Sequence, residues 1–547
     1  MPRNLLKEKE LASRYLFFLL ASSVLVISPR LNFDAINVPK ITFIEIGLTL
    51  IWFRFRKLLK PKLELNILGV LAMSIVFYSL GTTYFDQQSF IDAMVGNYGR
   101  LFGIATLSIL LIIYYMTVSL RASDSIFYLS KYNLLTSLVL QFYLLLQSFG
   151  IDAVLWDNVY PSPPGTLGNP NFVAAYIAFS FFISLPFFGS IVSAKKRFAS
   201  TGAFLILSVI NIQLSTSFQG FVSLGIGFAV LFLLNARKFN GIVWILAVFF
   251  AGVLMFFGSM GIFGYGPLKS ILYSYTIDLR VSYWRYGFEM LEGNWIFGLG
   301  FDSYDDFYRA FVSPESVFTN SPHNFVLDLL VGGGVLLTIP VLLLILWGPF
   351  KCILEITRQQ SSIHSRKNQI ILVASFTVLI TQSIINPFQI SLIVWLFLCS
   401  GLCFSASETF VKEEVPKLST KIKTRYVSRI QYLLPVINIL TFGIVSILYF
   451  SDYSARKSIE TRELTRIINM SRMPISAYAL SGVKILYQNN YVQESYSAAK
   501  EIVRKNPNNV EALNYLLELA ESDQEKKVIQ KQLNKLDPLS KVKEPNG

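Results

Sequence analysis

The residue types able to do polar chemistry gather in one stretch. Residues 278–324 form a polar segment between two long apolar runs, and they hold Arg280, Arg285 and His323. Arg280 and Arg285 stand five apart in the run LRVSYWRYGF. The planar fork of arginine matches phosphate, which gives two arginines here a reason to exist. His323 follows Pro322 and, with Asn324, opens the next apolar run. It is one of only two histidines in the chain, and it is the candidate catalytic base or orienting group. Asp328 lies in the first turns of that run. A carboxylate there is either functional or paired with a neighbouring helix. Trp284 stands between Tyr283 and Arg285, where amphipathic rings also suit a membrane interface.

Two further motifs could join this segment. In PSPPGTLGNPNF, residues 161–172, Asn169 can cap a helix with Pro170 at its first position, which aims free N–H groups and a positive dipole end at a ligand. Asn171 sits in the same turn. The plainer reading is an ordinary helix cap. In LSTSFQGFVSLG, residues 214–225, Gln219 lies in a very short turn between two apolar runs. It is a candidate ligand or a plain interfacial polar residue. Arg100 closes the list, at the end of a span where it could face the same cavity.

Elements must then hold these residues in place. The chain has 547 residues, 53% hydrophobic and 15% charged. A soluble chain would carry about a quarter charged residues, so the composition points to a membrane protein. The net charge of +14 does not argue for nucleic acid, because Lys and Arg fall in short clusters between apolar runs. Three cysteines, at 352, 399 and 403, show no metal-type spacing. Two histidines cannot build a multi-histidine metal centre. Neither a metal nor another cofactor is expected.

Apolar runs fall at about 15–27, 41–53, 63–82, 101–120, 132–149, 172–193, 199–214, 218–234, 241–257, 324–347, 369–385, 390–404 and 432–450. The pattern predicts an all-α polytopic protein with about thirteen transmembrane helices, the first of them an uncleaved anchor. Basic residues crowd alternate loops, at 54–62, 121–131, 195–197, 237–238, 351–367 and 412–429. That alternation puts the N-terminus in the cytoplasm, and the long loop 258–323 and the C-terminus outside. His364, in SSIHSRK, reads as a solvated cytoplasmic loop residue. After residue 450 the apolar fraction falls. The stretches 477–488, 491–505 and 510–520 read as short antiparallel helices, with a stop and a new cap at NPNN, and the tail after 537 reads as disordered. The division is therefore 1–60 for the N-terminal helices, 61–450 for the main transmembrane domain and 451–547 for a helical tail, either tetratricopeptide-like or a generic helical hairpin lying on the membrane domain.

The motifs GTLGNPNF, STSFQG, LRVSYW with FGLG, and SPHN, in that order, resemble the O-antigen ligase and polymerase superfamily of bacterial envelope proteins. The resemblance runs from about residue 63 to 405, and the tail is similar to that of the protein-glycosylating members. It implies a metal-independent, inverting glycosyltransferase of the bacterial cytoplasmic membrane. The donor would be a glycan on a polyprenyl diphosphate, the acceptor a lipid, glycan or protein, with membrane lipids around it and no nucleic acid. The resemblance assigns the essential roles to Arg280 and His323. It leaves Arg285, Gln219, Arg100, Asn169, Asn171, Trp284 and Asn324 as substrate-binding candidates. In one place the chain departs from the family: many members have Ser-Arg-Gly where this sequence has Phe218-Gln219-Gly220. Arg285 or Arg100 would then supply the missing charge, or the ligand differs. A polymerase joining repeat units, an inorganic-carbon type transporter of the same superfamily, and a non-catalytic assembly factor are the competing readings.

Overall fold

The computed structural model describes residues 3–538 apart from 60–70, 73, 82–88, 153, 155–159, 237–240, 274, 302, 313–316, 359–362, 388 and 408–432. The described residues are helical and carry no strand. The main helices are α1 (Arg3–Ser23), α2 (Asn37–Phe55), α3 (Ile104–Leu120), α4 (Ile126–Ser148), α5 (Pro170–Ile183), α6 (Ala194–Leu214), α7 (Phe218–Ala236) and α8 (Gly241–Ile262). They continue as α9 (Tyr275–Met290), α10 (Phe325–Thr357), α11 (Ile363–Ile385), α12 (Ile390–Ser407) and α13 (Leu433–Thr461). Eight helices among the described residues are long and apolar enough to cross a membrane, against the thirteen expected. The difference has physical causes. Helix α3 and the Gly241–Phe250 part of α8 are apolar but shorter than a full span. Of the expected span at 63–82 only 71–72 and 74–81 are described, and they are helical. The expected basic loop at 412–429, the pair at 237–238 and the tail after 538 lie outside the described residues. His364 falls in the first turn of α11, not in a loop.

Helices α3 and α12 form the centre. Every residue of both is buried, which is the behaviour of helices that are apolar all round. Small residues allow close packing there: Gly401 faces Thr117, and Gly348 of α10 lies against the Ser400 carbonyl. Helices α6 and α7 present apolar side chains such as Ile206, Ile210, Phe228 and Phe232 outward, as lipid-facing helices do.

Helix α10 breaks at Gly333 and Gly334, whose backbones are non-helical. A break inside a bundle frees backbone groups that need partners. The loop after α9 supplies them. The Leu299 N–H donates to the Val331 carbonyl at 2.7 Å, and the Val335 N–H donates to the Trp295 carbonyl at 2.9 Å. The Tyr78 hydroxyl donates to the Gly333 carbonyl at 2.9 Å. Gly298, at φ +78°, has no room for a Cβ, which would stand 2.6 Å from the Val331 carbonyl oxygen.

The tail folds into α14 (Leu464–Met470), α15 (Ser476–Gln488), α16 (Val492–Lys505), α17 (Val510–Leu519) and α18 (Asp523–Leu536). Asn509 caps α17 by accepting from the Ala512 N–H at 2.9 Å. Helix α18 completes a second hairpin that the sequence pattern did not reveal. Residues 479–536 bury their own apolar core. Asp452 of α13 ties the tail to the bundle: its carboxylate accepts from Asn32 Nδ2, the Phe33 and Asp34 N–H groups and the Tyr478 hydroxyl, each at 2.8 Å.

Candidate active site

The starts of α3, α5, α7 and α10 and the end of α11 meet at one end of the bundle, and α9 lies over them. Local sequence explains how each arrives. Asn169 caps α5, accepting from the Asn171 N–H at 2.8 Å, with Pro170 next in line. Asn171 accepts from the Ser217 hydroxyl at 2.7 Å. That bond joins the α5 cap to the short turn that launches Gln219. Asn324 caps α10, accepting from the N–H groups of Val326 and Leu327 at 3.0 and 3.2 Å. Both asparagines are therefore helix caps, and neither is placed as a ligand by its own geometry.

His323 sits between Pro322 and this cap at φ +54°, a left-handed conformation that histidine adopts more readily than most residues. The turn before it is fixed, since the His323 N–H donates to Ser321 Oγ at 2.9 Å. Its ring centroid lies 5.4 Å from that of Tyr283 on α9. Arg280 stands one turn before Tyr283, so α9 lays both beside the histidine. Gly287 permits the approach: a Cβ there would come 2.8 Å from Leu327 of α10.

Electrostatics follow from this packing. Burial, then the charges of Arg280 and Arg100, pushes His323 down to about 3. Desolvation and two cations both disfavour imidazolium, so the ring is neutral at physiological pH. Burial lowers the Arg280 guanidinium from its ordinary value, but arginine stays charged. Gln219 receives that guanidinium. With its amide turned to satisfy both neighbours, the oxygen accepts from Arg280 Nη2 and Nη1 at 2.8 and 3.2 Å, and the nitrogen donates to Asn386 Oδ1 at 2.9 Å. Three buried polar atoms on the histidine and on α9 have no partner: His323 Nδ1, Arg280 Nε and Trp284 Nε1. Buried polar atoms are rarely left unpaired without a ligand or a functional reason.

The other arginines stand differently. Arg100 Nη2 pairs with Asp328 at 2.8 Å, their side chains 5% and 4% exposed, and Nη1 donates to the Asn320 carbonyl at 2.9 Å. Of the two readings for Asp328, pairing with a neighbouring helix is the one the structure shows. The bridge clamps the His323 loop to the start of α3. Arg285 points away, exposed, 3.5 Å from Glu289 and donating to its neighbour Tyr286. The structure thus brings together Arg280, His323, Gln219 and Arg100, carries Trp284 on α9 one turn after Arg280, and leaves Arg285 outside. Asn386 and Gln382 of the α11 end were not singled out from sequence. Two amides just before Pro387, in an otherwise apolar stretch, were the available signal.

No match is found among curated proteins. Residues 203–342, which carry Gln219, Arg280, Trp284, His323 and Asn324, match the family model described as O-antigen ligase. It is to this family of membrane glycan ligases that the part of the chain holding the site is similar.

Proposed function

We propose that the protein transfers a glycan from a polyprenyl diphosphate carrier to an acceptor hydroxyl, at the outer face of a bacterial cytoplasmic membrane. The observation that carries this reading is one cation and one neutral histidine, half-buried side by side, each with an unpaired polar atom, and the unpaired indole N–H of Trp284 one helical turn after the cation. Arg280 holds a phosphate of the leaving group, with its Nε–H and the indole N–H of Trp284 aimed at oxygens. Fixed donors in a water-poor site stabilise developing charge strongly. His323 takes the proton of the acceptor hydroxyl. A histidine near 3 is a weak base, held down first by burial and then by two arginines, and an anionic donor offsets the arginine part. Donor arrival therefore strengthens the base. Arg100 and Asp328 position the histidine loop.

The test supplies purified full chain with a polyprenyl-diphosphate-linked oligosaccharide and an acceptor glycolipid. Joined product is expected. Unchanged donor alongside solute uptake by proteoliposomes would favour a transporter. The resemblance also admits a polymerase, which would lengthen the donor glycan itself. An acceptor-bound product of one unit separates ligation from that outcome.

A further inference from the structure

Gln219 does not act alone. Its side-chain nitrogen donates to Asn386 Oδ1 at 2.9 Å. Asn386 Nδ2 donates to Gln382 Oε1 at 2.7 Å, Gln382 Nε2 donates to Ser223 Oγ at 2.6 Å, and the Ser223 hydroxyl donates to the main-chain carbonyl of Gln219 at 2.9 Å. The four residues close a ring in which every bond runs the same way round. Asn386, Gln382 and Ser223 are 2%, 1% and 0% exposed, so water does not compete for these groups. Reversing one amide would set donor against donor and acceptor against acceptor, which is costly where water is absent. Reversing all three amides together would aim the Gln219 NH2 at the Arg280 guanidinium, so the orientation that satisfies both the ring and Arg280 has the oxygen toward Arg280.

We infer that Asn386, supported by Gln382, is a positioning residue that acts through Gln219: the ring presents an oriented neutral acceptor that holds the Arg280 fork in register with His323. The acceptor being neutral matters. A carboxylate in the same place would neutralise the guanidinium that a phosphate needs. An oriented amide grips two of its nitrogens and leaves the charge in place. The inference rests on Arg280 being the donor-binding cation, as proposed above.

Two readouts test it on the full chain in detergent. The first needs no catalytic activity: the rate at which phenylglyoxal modifies Arg280, followed by peptide mass spectrometry. Asn386→Leu removes both ring bonds at similar volume and is expected to speed modification several-fold. Asn386→Asp keeps the oxygen that faces Gln219 but sets its second oxygen against Gln382 Oε1, so it is expected to speed modification less than Asn386→Leu does. Asn386→Leu should add nothing in a Gln219→Ala background, since residues acting through one network are non-additive. Gln382→Leu should repeat the pattern, and it serves if Asn386→Leu does not fold. Wild-type rates in these variants, or the same increase in both backgrounds, would overturn the inference. The second readout is turnover, where Asn386→Leu should lower kcat on the order of tenfold with acceptor KM unchanged. Absent turnover in wild type with the modification pattern intact would overturn the transfer reading and leave the ring standing. Turnover present with the pattern missing would do the reverse.

Discussion

Arg280 and His323 divide the work because their surroundings treat their charges differently. Arginine keeps its proton under burial; histidine gives its proton up. His323 is therefore neutral across the physiological range, and no histidine signal from residue 323 should titrate between about pH 5 and 8. NMR of a His364→Gln variant isolates that one ring. Adding polyprenyl diphosphate should move its titration upward, and an unchanged titration would remove the coupling between donor and base. The same shift bears on stability. The folded value near 3 lies below the unfolded value of about 6.5, so the unfolded chain binds the extra proton between them. The contribution is complete above about pH 6.5 and is lost as pH falls toward 3. Asp328→Ala is predicted to cost about 3–5 kcal/mol, because it leaves the buried Arg100 charge without its carboxylate. A denaturation midpoint close to wild type would contradict the clamp.

The elements show why some of the site was legible in sequence and some was not. Asn169-Pro170 and Pro322-His323-Asn324 are local signals, and both produce the caps that the residue types predict. The glycines of FGLG likewise stand at positive φ, as a tight turn needs. The break in α10 gave no such signal, because three consecutive glycines in an apolar run also fit a straight helix. It exists because the 295–299 backbone lies against it, a contact between segments more than thirty residues apart in the chain. Gly334 holds φ +60°, and a Cβ there would stand 2.2 Å from the Ile296 carbonyl oxygen. Gly334→Ala should therefore cost roughly 1–3 kcal/mol and reduce turnover with Arg280 and His323 both intact. Full activity in that variant would show that the break does not position the site. Arg285 points away from Arg280 for a related reason. Five residues along a helix rotate it away from Arg280, and spacing alone did not say which of the two faces His323.

At the scale of the whole molecule, hydropathy foretold the bundle well, because a buried or lipid-facing helix must be apolar whichever neighbour it meets. It could not foretell which polar residues meet across helices. The ion pair of Arg100 with Asp328 spans 228 positions, and the latch of Asp452 reaches back 420 positions to Asn32. Asp452 joins the α1–α2 loop, α13 and the tail through four hydrogen bonds. Asp452→Ala should release the tail while the bundle stays folded, seen as faster trypsin cleavage at Arg462 and Arg472. Cleavage as slow as wild type would show that other contacts hold the tail.

One measurement tests transfer most directly: release of free polyprenyl diphosphate from a lipid-linked glycan by purified wild type, Arg280→Ala and His323→Ala. Wild type should release it. Arg280→Ala should lose about 10²–10³-fold, with weaker donor binding. His323→Ala should lose about 10²–10⁴-fold while still binding donor. Release at the wild-type rate by a folded His323→Ala protein would contradict the account.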